Sequence, residues 1–512
     1  MHSFRRGLIF LIVACLAACA ELKPRPPLPD ESAVPPGEDS RLDQLIAPAE
    51  AMHPGESAFR LVREGPEAFV TRIQSARLAG RTLDVQTYIW HADLTGIFIA
   101  RQLLEAADRG VRVRLLVDDM DARAKNVGFA ALAAHPNIDV RMFNPFASRS
   151  GTLRLVGEGL TSFGRVNHRM HNKTWIADNR VAIAGGRNIG DEYFGASEEV
   201  NFVDLEFAMM GPVVRDASAS FDKYWNSPAA YPMEVLDPDG VNDKALEVLR
   251  AKLAEPPGEP SASRYAEALK ADGTVTRLVA GDWPMEWTAT YKFVSDDPLK
   301  ATMKDNDPKR THVGSELVPM LRAAQKDINI ISPYFVPGDE VTAGLTKAAQ
   351  EGRRVRVLTN SLAANDVAAV HGGYSRYREP LVKGGVQVWE LKPLNADAKK
   401  SMFGSSGASL HTKALSVDGH TLFVGSYNLD PRSTWLNCEQ GILVENDTLT
   451  TQLGEIFDRQ VSGEHSWQVT LKDDKLSWSD GGGETFTRDP EASGWRRFEA
   501  WMARVLHLDA QL

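Results

Sequence analysis

The chain has 512 residues, of which 43% are hydrophobic and 25% are charged, a composition typical of a globular protein with several domains. Its formal net charge of -10 argues against a strongly basic protein that binds nucleic acid, although local basic pockets stay compatible with it. Only three Cys residues occur, so no disulfide framework is expected.

The N-terminus has the pattern of a secretory signal. Two Arg residues precede an apolar run at residues 8–18, which is too short to span a bilayer. The tetrapeptide L-A-A-C that ends at Cys19 is similar to a bacterial lipobox, which implies removal of residues 1–18 and acylation of Cys19. The alternative is a plain N-terminal anchor or a signal that is cleaved elsewhere.

Residues 19–50 are predicted to form an extended tether, because residues 23–37 are Pro-rich and have neither a helical nor a strand period. The first folded domain is predicted at residues 51–260. It contains a helical pattern at 68–78, a strand at 83–90, a helix that ends near Gly110 and an apolar strand at 111–117. Such alternation indicates βαβ units and an α/β fold with a parallel core sheet.

Three carboxylates follow the strand at 111–117, namely Asp118, Asp119 and Asp121. They either hold a hard cation or cap the next turn of the chain. We expect no metal and no cofactor in the functional site.

The second domain, predicted at residues 261–465, repeats the order of the first. A strand at 328–336, a helix ending at Gly352 and strands at 355–359 and 386–391 indicate an internal duplication. The Pro- and Gly-rich residues 255–260 are the best candidate linker between the halves.

Residues 466–512 are predicted to form a C-terminal antiparallel β extension and an amphipathic helix. The apolar residues of this helix recur at roughly helical spacing, at Trp495, Phe498, Trp501, Val505 and Leu508. This face either lies at a lipid interface or docks on the protein core.

Each half carries one copy of the motif H-x-K-x4-D. The copies consist of His171, Lys173 and Asp178, and of His411, Lys413 and Asp418. Both lead into a Gly-containing step that ends in Asn, at Asn188 and Asn428. Two copies with the same spacing and matching tails are not a chance coincidence.

These residue types suit transfer at a phosphodiester. Alternate residues of a strand face the same side, so each His projects beside its Lys. The reaction needs a nucleophile, a proton donor for the leaving alkoxide and positive charge around the phosphate oxygens. Two His and two Lys supply all three without a metal. The Asp residues fall where the apolar runs break, and we expect them to be structural.

The duplicated motif resembles that of the phospholipase D superfamily. The resemblance implies two duplicated α/β/α sandwich domains, each with a mostly parallel mixed sheet, around one shared active site. It also implies a phosphohistidine intermediate. We assign His171 as the nucleophile and His411 as the acid, with the reverse assignment as the alternative.

The same resemblance implies further site residues. An acidic residue on the strand after each motif, at Asp204 and Glu439, would hold the imidazole rings. Asn188 and Asn428 would donate amide hydrogens to phosphate oxygens. Ser426 has Gly186 at the matching position of the first half, which puts a symmetric role for its hydroxyl in doubt.

Several longer segments resemble bacterial cardiolipin synthases of the C type, namely residues 83–90, 185–191, 294–298, 359–366 and 429–433. The resemblance implies phosphatidyl transfer between membrane phospholipids, with phosphatidylglycerol and phosphatidylethanolamine as partners. The lipobox-like signal, which need not occur in every such synthase, implies an envelope protein that is lipid-anchored and faces the periplasm. Whether it resides in the inner or the outer membrane stays open. The alternatives are phospholipase D-type hydrolysis, a nuclease, and a non-catalytic lipid-binding lipoprotein.

Two segments before the motifs suggest further roles. The apolar stretch at residues 153–163 either guides acyl chains or packs as a surface loop or helix. The Gly- and Ser-containing residues 404–407 form either a mobile lid or a plain loop.

Overall fold

The computed structural model describes residues 22–122, 126–147, 163–255, 259–279, 281–302, 310, 312–393 and 410–506. The predictions for Cys19, for nearly all of 153–163 and for 404–407 therefore lie outside the described residues. None of the helices in these ranges is long and apolar enough to cross a membrane.

The first sheet lies in the N-terminal half, and the part that the structure describes has nine strands. They are β1 (Ser57–Val62), β2 (Thr82–Thr87), β3 (Arg112–Asp118), β4 (Ile138–Phe143), β5 (Thr174–Ala177), β6 (Val181–Gly185), β7 (Glu206–Met210), β8 (Ala230–Pro232) and β9 (Glu286–Thr288). Their order is β8-β4-β3-β2-β5-β6-β7-β1-β9. The central strands β2, β3 and β4 are parallel, and nearly all of their residues are buried, as is expected of a parallel sheet that is covered on both faces.

The second sheet has ten strands among the described residues. They are β10 (Tyr291–Ser295), β11 (Asp327–Ile331), β12 (Arg354–Asn360), β13 (Gln387–Leu391), β14 (Ala414–Val417), β15 (Thr421–Gly425), β16 (Gln440–Glu445), β17 (Ser466–Lys472), β18 (Lys475–Ser479) and β19 (Thr485–Phe486). Their order is β10-β16-β15-β14-β11-β12-β13-β17-β18-β19. Strands β10 to β16 thus repeat the arrangement of β1 to β7, which confirms the predicted duplication and the α/β fold.

Helices cover both faces of the two sheets. Those of the N-terminal half are α1 (Arg41–Met52), α2 (Gly65–Leu78), α3 (Leu94–Asp108), α4 (Asp119–Ala122), α5 (Asn126–Ala133), α6 (Phe163–Val166), α7 (Asp191–Phe194), α8 (Pro212–Trp225), α9 (Met233–Leu236), α10 (Asp243–Ala254), α11 (Glu259–Ala271) and α12 (Gly273–Val279). A 3-10 helix at Pro298–Thr302 precedes α13 (His312–Ala323), α14 (Gly338–Gln350), α15 (Ala368–Lys383), α16 (Pro431–Trp435), α17 (Asp447–Gln460) and α18 (Gly494–Val505).

The two halves share a central hydrophobic core. It contains Phe207 and Trp225 from the first half together with Leu358 and Phe457 from the second, all of them buried. Each sheet has a separate core on its other face. Because one apolar layer belongs to both halves, they pack as one body, with the motif strands β5 and β14 in the middle of their sheets.

The chain changes sheets between Thr288 and Tyr291, later than the predicted boundary at residue 260. Helices α11 and α12 bury Tyr265 and Val275 in the first core, and β9 pairs with β1. The Pro residues of the predicted linker indicated a domain boundary at residue 260. The helices that follow them return to the first sheet instead of starting a new domain.

The predicted tether is also different in the structure. Arg25 donates to the carbonyl of Ala230, and Glu31 pairs with Arg141, so residues 22–39 lie along the first half. Helix α1 follows, with Ser40 and Asp43 as a capping box. Its residues Leu42 and Ile46 are buried, because α1 docks on the core instead of remaining an extended linker.

At the C-terminus, β17 pairs with β13 and extends the second sheet through β18 and β19. This addition covers an edge of the parallel strands that would otherwise expose unpaired backbone groups. Helix α18 then packs against α15.

Candidate active site

Both motif copies lie at the start of a β-hairpin in the middle of a sheet. His171 and Lys173 immediately precede β5, and His411 and Lys413 immediately precede β14. In both hairpins the Asp of the motif occupies the turn with positive φ, 51° at Asp178 and 56° at Asp418. The motif residues therefore divide between the two ends of each hairpin strand, with His and Lys at one end and Asp at the other.

The ends of the hairpins that carry the His residues meet across the interface of the two halves. The backbone N–H of His171 donates to the carbonyl of Cys438 at 2.8 Å, and that of His411 donates to the carbonyl of Val203 at 2.8 Å. Glu439 and Asp204 are the next residues along the chain from these carbonyls. Each motif therefore pairs with the segment of the opposite half that carries an acidic residue.

The carboxylates hold the imidazole rings in the same crossed manner. Nδ1 of His171 lies 2.9 Å from Oε2 of Glu439, and Nδ1 of His411 lies 2.6 Å from Oδ2 of Asp204. Burial alone would raise the pKa of both acids, but the facing imidazole and Lys groups lower it below its ordinary value. An ionised carboxylate only accepts hydrogen bonds, so Nδ1 donates and Nε2 presents its lone pair.

The two His residues and the two Lys residues form one electrostatic unit. Burial lowers the pKa of His171 to about 4, and the carboxylate of Glu439 offsets this only in part. Burial lowers the pKa of His411 to about 4, and the positive charge of the nearby Lys413 contributes to this shift. The Lys of each half also lowers the pKa of the His in the other half, so both imidazoles are neutral at neutral pH in the ligand-free protein.

Each Lys side chain folds back onto its own motif. Nζ of Lys173 donates to the carbonyl of His171 at 2.6 Å, and Nζ of Lys413 donates to that of His411 at 2.7 Å. Burial lowers the pKa of Lys413 to about 8 and that of Lys173 well below its ordinary value. A bound phosphodiester anion would favour the charged form of both groups.

The acidic residues differ in length, and the small residue beside each of them differs accordingly. A Cβ atom on Gly186 would lie 2.1 Å from Oδ1 of Asp204, so only Gly fits next to the shorter acid. At the matching position of the second half, the hydroxyl of Ser426 donates to Oε2 of Glu439 at 2.5 Å. The difference noticed in the sequence is therefore a steric requirement of Asp204.

The motif Asp residues accept hydrogen bonds from the backbone before the neighbouring strand. Asp178 accepts from the N–H groups of residues 80–82 at 2.8–2.9 Å. Asp418 accepts from those of residues 325–327, the shortest contact being 2.7 Å to Lys326. The two Asp residues thus bind the turn of each hairpin to the start of β2 or β11, at a distance from the imidazoles.

The two Asn residues lie in the loops that follow the hairpins. Asn188 accepts from the N–H of Ile89 at 3.2 Å and donates to the hydroxyl of Tyr193 at 2.9 Å. The backbone of Asn428 donates to Ser433, and its buried Oδ1 has no hydrogen-bond partner among the described residues. The expectation that both amides bind phosphate stays a prediction.

The carboxylates at the end of β3 accept hydrogen bonds from protein donors. Asp118 accepts from Arg169 at 3.1 Å and from the N–H of Met170 at 2.8 Å. Asp119 accepts from the N–H of Phe146 at 2.8 Å. Asp118 also accepts from the N–H of Met120 at 2.8 Å, which favours the capping interpretation over the metal interpretation. The contacts to Arg169 and Met170 position the residues that lead into the first motif.

The sequence left several side chains of the site without a role. Tyr88 has its ring centroid 5.1 Å from that of His171, and Phe202 has its centroid 5.4 Å from that of His411. The hydroxyl of Ser433 donates to Oε1 of Glu439 at 2.9 Å. Tyr88 and Ser433 lie in segments that carried the family resemblance, and Phe202 lies two residues before Asp204. Which ring or carboxylate they contact depends on tertiary packing.

Comparison with known proteins identifies the family. The family profile described as "Cardiolipin synthase, PLD-like domain" matches residues 69–225 and 317–461, which include both motifs, Asp204 and Glu439. The chain belongs to this family. Proteins named as cardiolipin synthases are similar to this chain over most of their length. Cardiolipin synthase C of Escherichia coli K12 is 38% identical, over 92% of this chain and 99% of that protein.

More distant members of the cardiolipin synthase family are also similar. Cardiolipin synthase B of Escherichia coli K12 is 25% identical, over 78% of this chain and 80% of that protein. Among solved structures, the phosphatidylserine synthase of Haemophilus influenzae Rd KW20 has a TM-score of 0.57 at 13% identity, covering 89% of this chain and 95% of that one. This second likeness is one of fold.

Proposed function

We propose that this protein is a phosphatidyltransferase that makes cardiolipin from phospholipid donors through a covalent phosphohistidine. The observation that carries the proposal is the pair of imidazoles, buried at His171 and partly buried at His411, each oriented through Nδ1 by an ionised carboxylate of the opposite half. Membership of the cardiolipin synthase family supports the substrate class.

In the first step, Nε2 of His171 attacks the phosphorus atom of a phospholipid donor. The P–N bond forms as the P–O bond to the leaving alcohol breaks, and Nε2–H of His411 gives its proton to the departing alkoxide. The pKa of His411 is about 4 in the free protein, so it gains this proton when the phosphodiester anion binds and raises that pKa.

In the second step, a primary hydroxyl of phosphatidylglycerol attacks the phosphohistidine. Its proton passes to Nε2 of His411, the new P–O bond forms, and the P–N bond breaks to release His171. The ammonium groups of Lys173 and Lys413 balance the charge that develops on the non-bridging oxygens. This cycle consumes no cofactor and returns both imidazoles to their starting states.

We also propose that acylation of Cys19 holds the protein on an envelope membrane, facing the periplasm. The support is the sequence of residues 1–19, with its basic start, short apolar run and lipobox-like end. Metabolic labelling with a radioactive fatty acid should mark the wild-type protein, and Cys19→Ser should remove the label. Label retained in Cys19→Ser would reject acylation at this residue.

The test of the transfer reaction uses labelled phosphatidylglycerol, with and without phosphatidylethanolamine, and chromatography of the lipid products. Cardiolipin is the expected product. Phosphatidic acid alone would identify a phospholipase D-type hydrolase, and no lipid turnover would favour the non-catalytic lipoprotein. His171→Ala and His411→Ala should each remove turnover, whereas His312→Ala, at an exposed His far along the chain from either motif, should retain it.

A further inference from the structure

The C-terminal helix α18 is fixed to the protein by a face of small residues. Ala500 and Ala503 are buried against α15, where a Cβ atom on Gly372 would lie 2.4 Å from the carbonyl oxygen of Ala500. The hydroxyl of Ser493 accepts from the N–H of Arg496 and begins the helix. Helix α18 is therefore closely packed at one defined position on the second half.

The other face of α18 presents a row of aromatic side chains to solvent. The exposed fractions are 61% for Trp495, 47% for Phe498 and 56% for Trp501. The ring centroid of Phe498 lies 5.5 Å from that of Trp495 and 6.0 Å from that of Trp501, so the three rings form one continuous patch. Contiguous exposed aromatic area of this kind is typical of a surface that contacts another apolar phase.

Helix α18 is connected to the candidate active site through contacts with one loop of the second half. Arg496, on the same helix, donates through Nε to the carbonyl of Leu362 at 3.0 Å and through its guanidinium to that of Asn365. The next residue, Asp366, accepts from the hydroxyl of Tyr334 at 2.6 Å and interacts electrostatically with Lys413. One short loop therefore links the aromatic helix to the second motif.

The chemistry of the patch selects a lipid surface over a protein partner. Trp and Phe on one helical face, with Arg on the same helix, are the composition of helices that lie in the headgroup region of an anionic bilayer. Helix α18 carries three Arg residues, Arg496, Arg497 and Arg504, and one acidic residue, Glu499, so its net charge is positive. The helix is too short and too polar overall to span the bilayer.

We infer that Trp495, Phe498 and Trp501 insert into the interfacial layer of an anionic phospholipid bilayer and hold the active site against the surface that supplies its substrates. This inference rests on the proposed function for its substrate class. The contact is separate from the acyl anchor proposed at Cys19, because it lies at the opposite end of the chain and acts on the orientation of the site.

The direct test is quenching of Trp fluorescence by bromine on lipid acyl chains. The wild-type full chain is reconstituted into vesicles of phosphatidylglycerol and phosphatidylethanolamine, with or without brominated chains. We expect quenching that falls by more than half in Trp495→Phe/Trp501→Phe, which keeps the rings aromatic, and stays unchanged in Trp283→Phe. Equal quenching in all three proteins would overturn the inference. The quenching measurement does not depend on turnover of the lipid.

A functional test separates this inference from the proposed chemistry. Trp495→Ala/Phe498→Ala/Trp501→Ala should lower turnover of vesicle lipids by about tenfold or more, since lost apolar contact weakens interfacial binding. Turnover of short-chain lipids below their micellar concentration should stay unchanged. A matched control, Leu45→Ala/Met52→Ala/Val248→Ala, replaces exposed apolar residues elsewhere and should retain both activities.

The two possible failures of this second test are distinguishable. Equal losses on vesicles and on monomeric lipids, with unchanged thermal stability, would place the aromatic residues in catalysis instead of membrane contact and overturn the inference. Absence of turnover of both vesicle lipids and short-chain lipids by the wild type would reject the proposed function, while the quenching result would still decide the membrane contact.

Discussion

Glu439, in the second half, accepts a hydrogen bond from Nδ1 of His171, in the first half, over 2.9 Å. Asp204 and His411 form the reciprocal pair over 2.6 Å. Each half therefore contributes an imidazole that only the other half can orient. The crossed carboxylates therefore make the site a property of the interface between the halves.

Replacing the crossed carboxylates by amides should lower kcat by about 10–100-fold with little change in KM, because they orient the rings without touching the substrate. Glu439→Gln and Asp204→Asn are the variants, and Glu247→Gln, at an exposed position, is the control. An unchanged kcat in both site variants would contradict the orienting role. Steady-state kinetics on labelled phosphatidylglycerol provides the measurement.

The assignment of the two His residues can be tested with an activated donor. A phosphatidyl ester of p-nitrophenol has a good leaving group, so its departure does not require the acid. We expect His411→Ala to release a burst of p-nitrophenolate and to trap phosphate label on His171. His171→Ala should give no burst. A burst from His171→Ala alone would reverse the assignment.

Substitution of the two small residues beside the acids should have unequal effects. Gly186→Ala places a methyl group 2.1 Å from Oδ1 of Asp204, so Asp204 must move away from His411 and turnover should fall by about 100-fold. Ser426→Ala removes one hydrogen bond to Glu439 and should cost about tenfold. A larger loss in Ser426→Ala than in Gly186→Ala would contradict this account.

The motif Asp residues should affect stability more than chemistry. Asp178→Asn disturbs a buried carboxylate that accepts from three backbone N–H groups, and we expect the free energy of unfolding to fall by about 1–3 kcal/mol. Asp418→Asn, whose surroundings are more exposed, should cost less. Denaturant unfolding measures both, and kcat per folded molecule should stay near wild type. A selective loss of kcat would assign these residues to catalysis.

Binding of a phosphate analogue should take up protons. The pKa of His171 and of His411 is about 4 in the free protein, mainly through burial, so both are neutral near pH 6. A tungstate anion between them raises the pKa of the imidazoles and adds a proton to the complex. Calorimetry at pH 6 in two buffers of different ionisation enthalpy should show net uptake, which His411→Asn should reduce. No uptake in the wild type would contradict these electrostatics.

Much of this site followed from local sequence. The duplicated spacing of His171, Lys173 and their counterparts identified the residues that share the site, and alternating strand and helix patterns indicated the α/β fold. The crossed pairing of Glu439 with His171 could not be predicted, because it depends on how the two sheets pack. The change of sheets after Thr288 was missed for a related reason, since burial of Tyr265 is a tertiary effect.

The difference between Asp204 and Glu439 makes the two halves of the duplicated site unequal. Two identical halves would accept a phosphodiester equally well in either of two opposed orientations. The two acids remove that equivalence. His411 is held by the shorter side chain of Asp204, beside Gly186, whereas His171 is held by the longer side chain of Glu439, which also accepts a hydrogen bond from Ser426. We therefore expect a donor lipid to bind with its departing alcohol toward one half only, so that a fold that arose by doubling would process its substrates in a single sense.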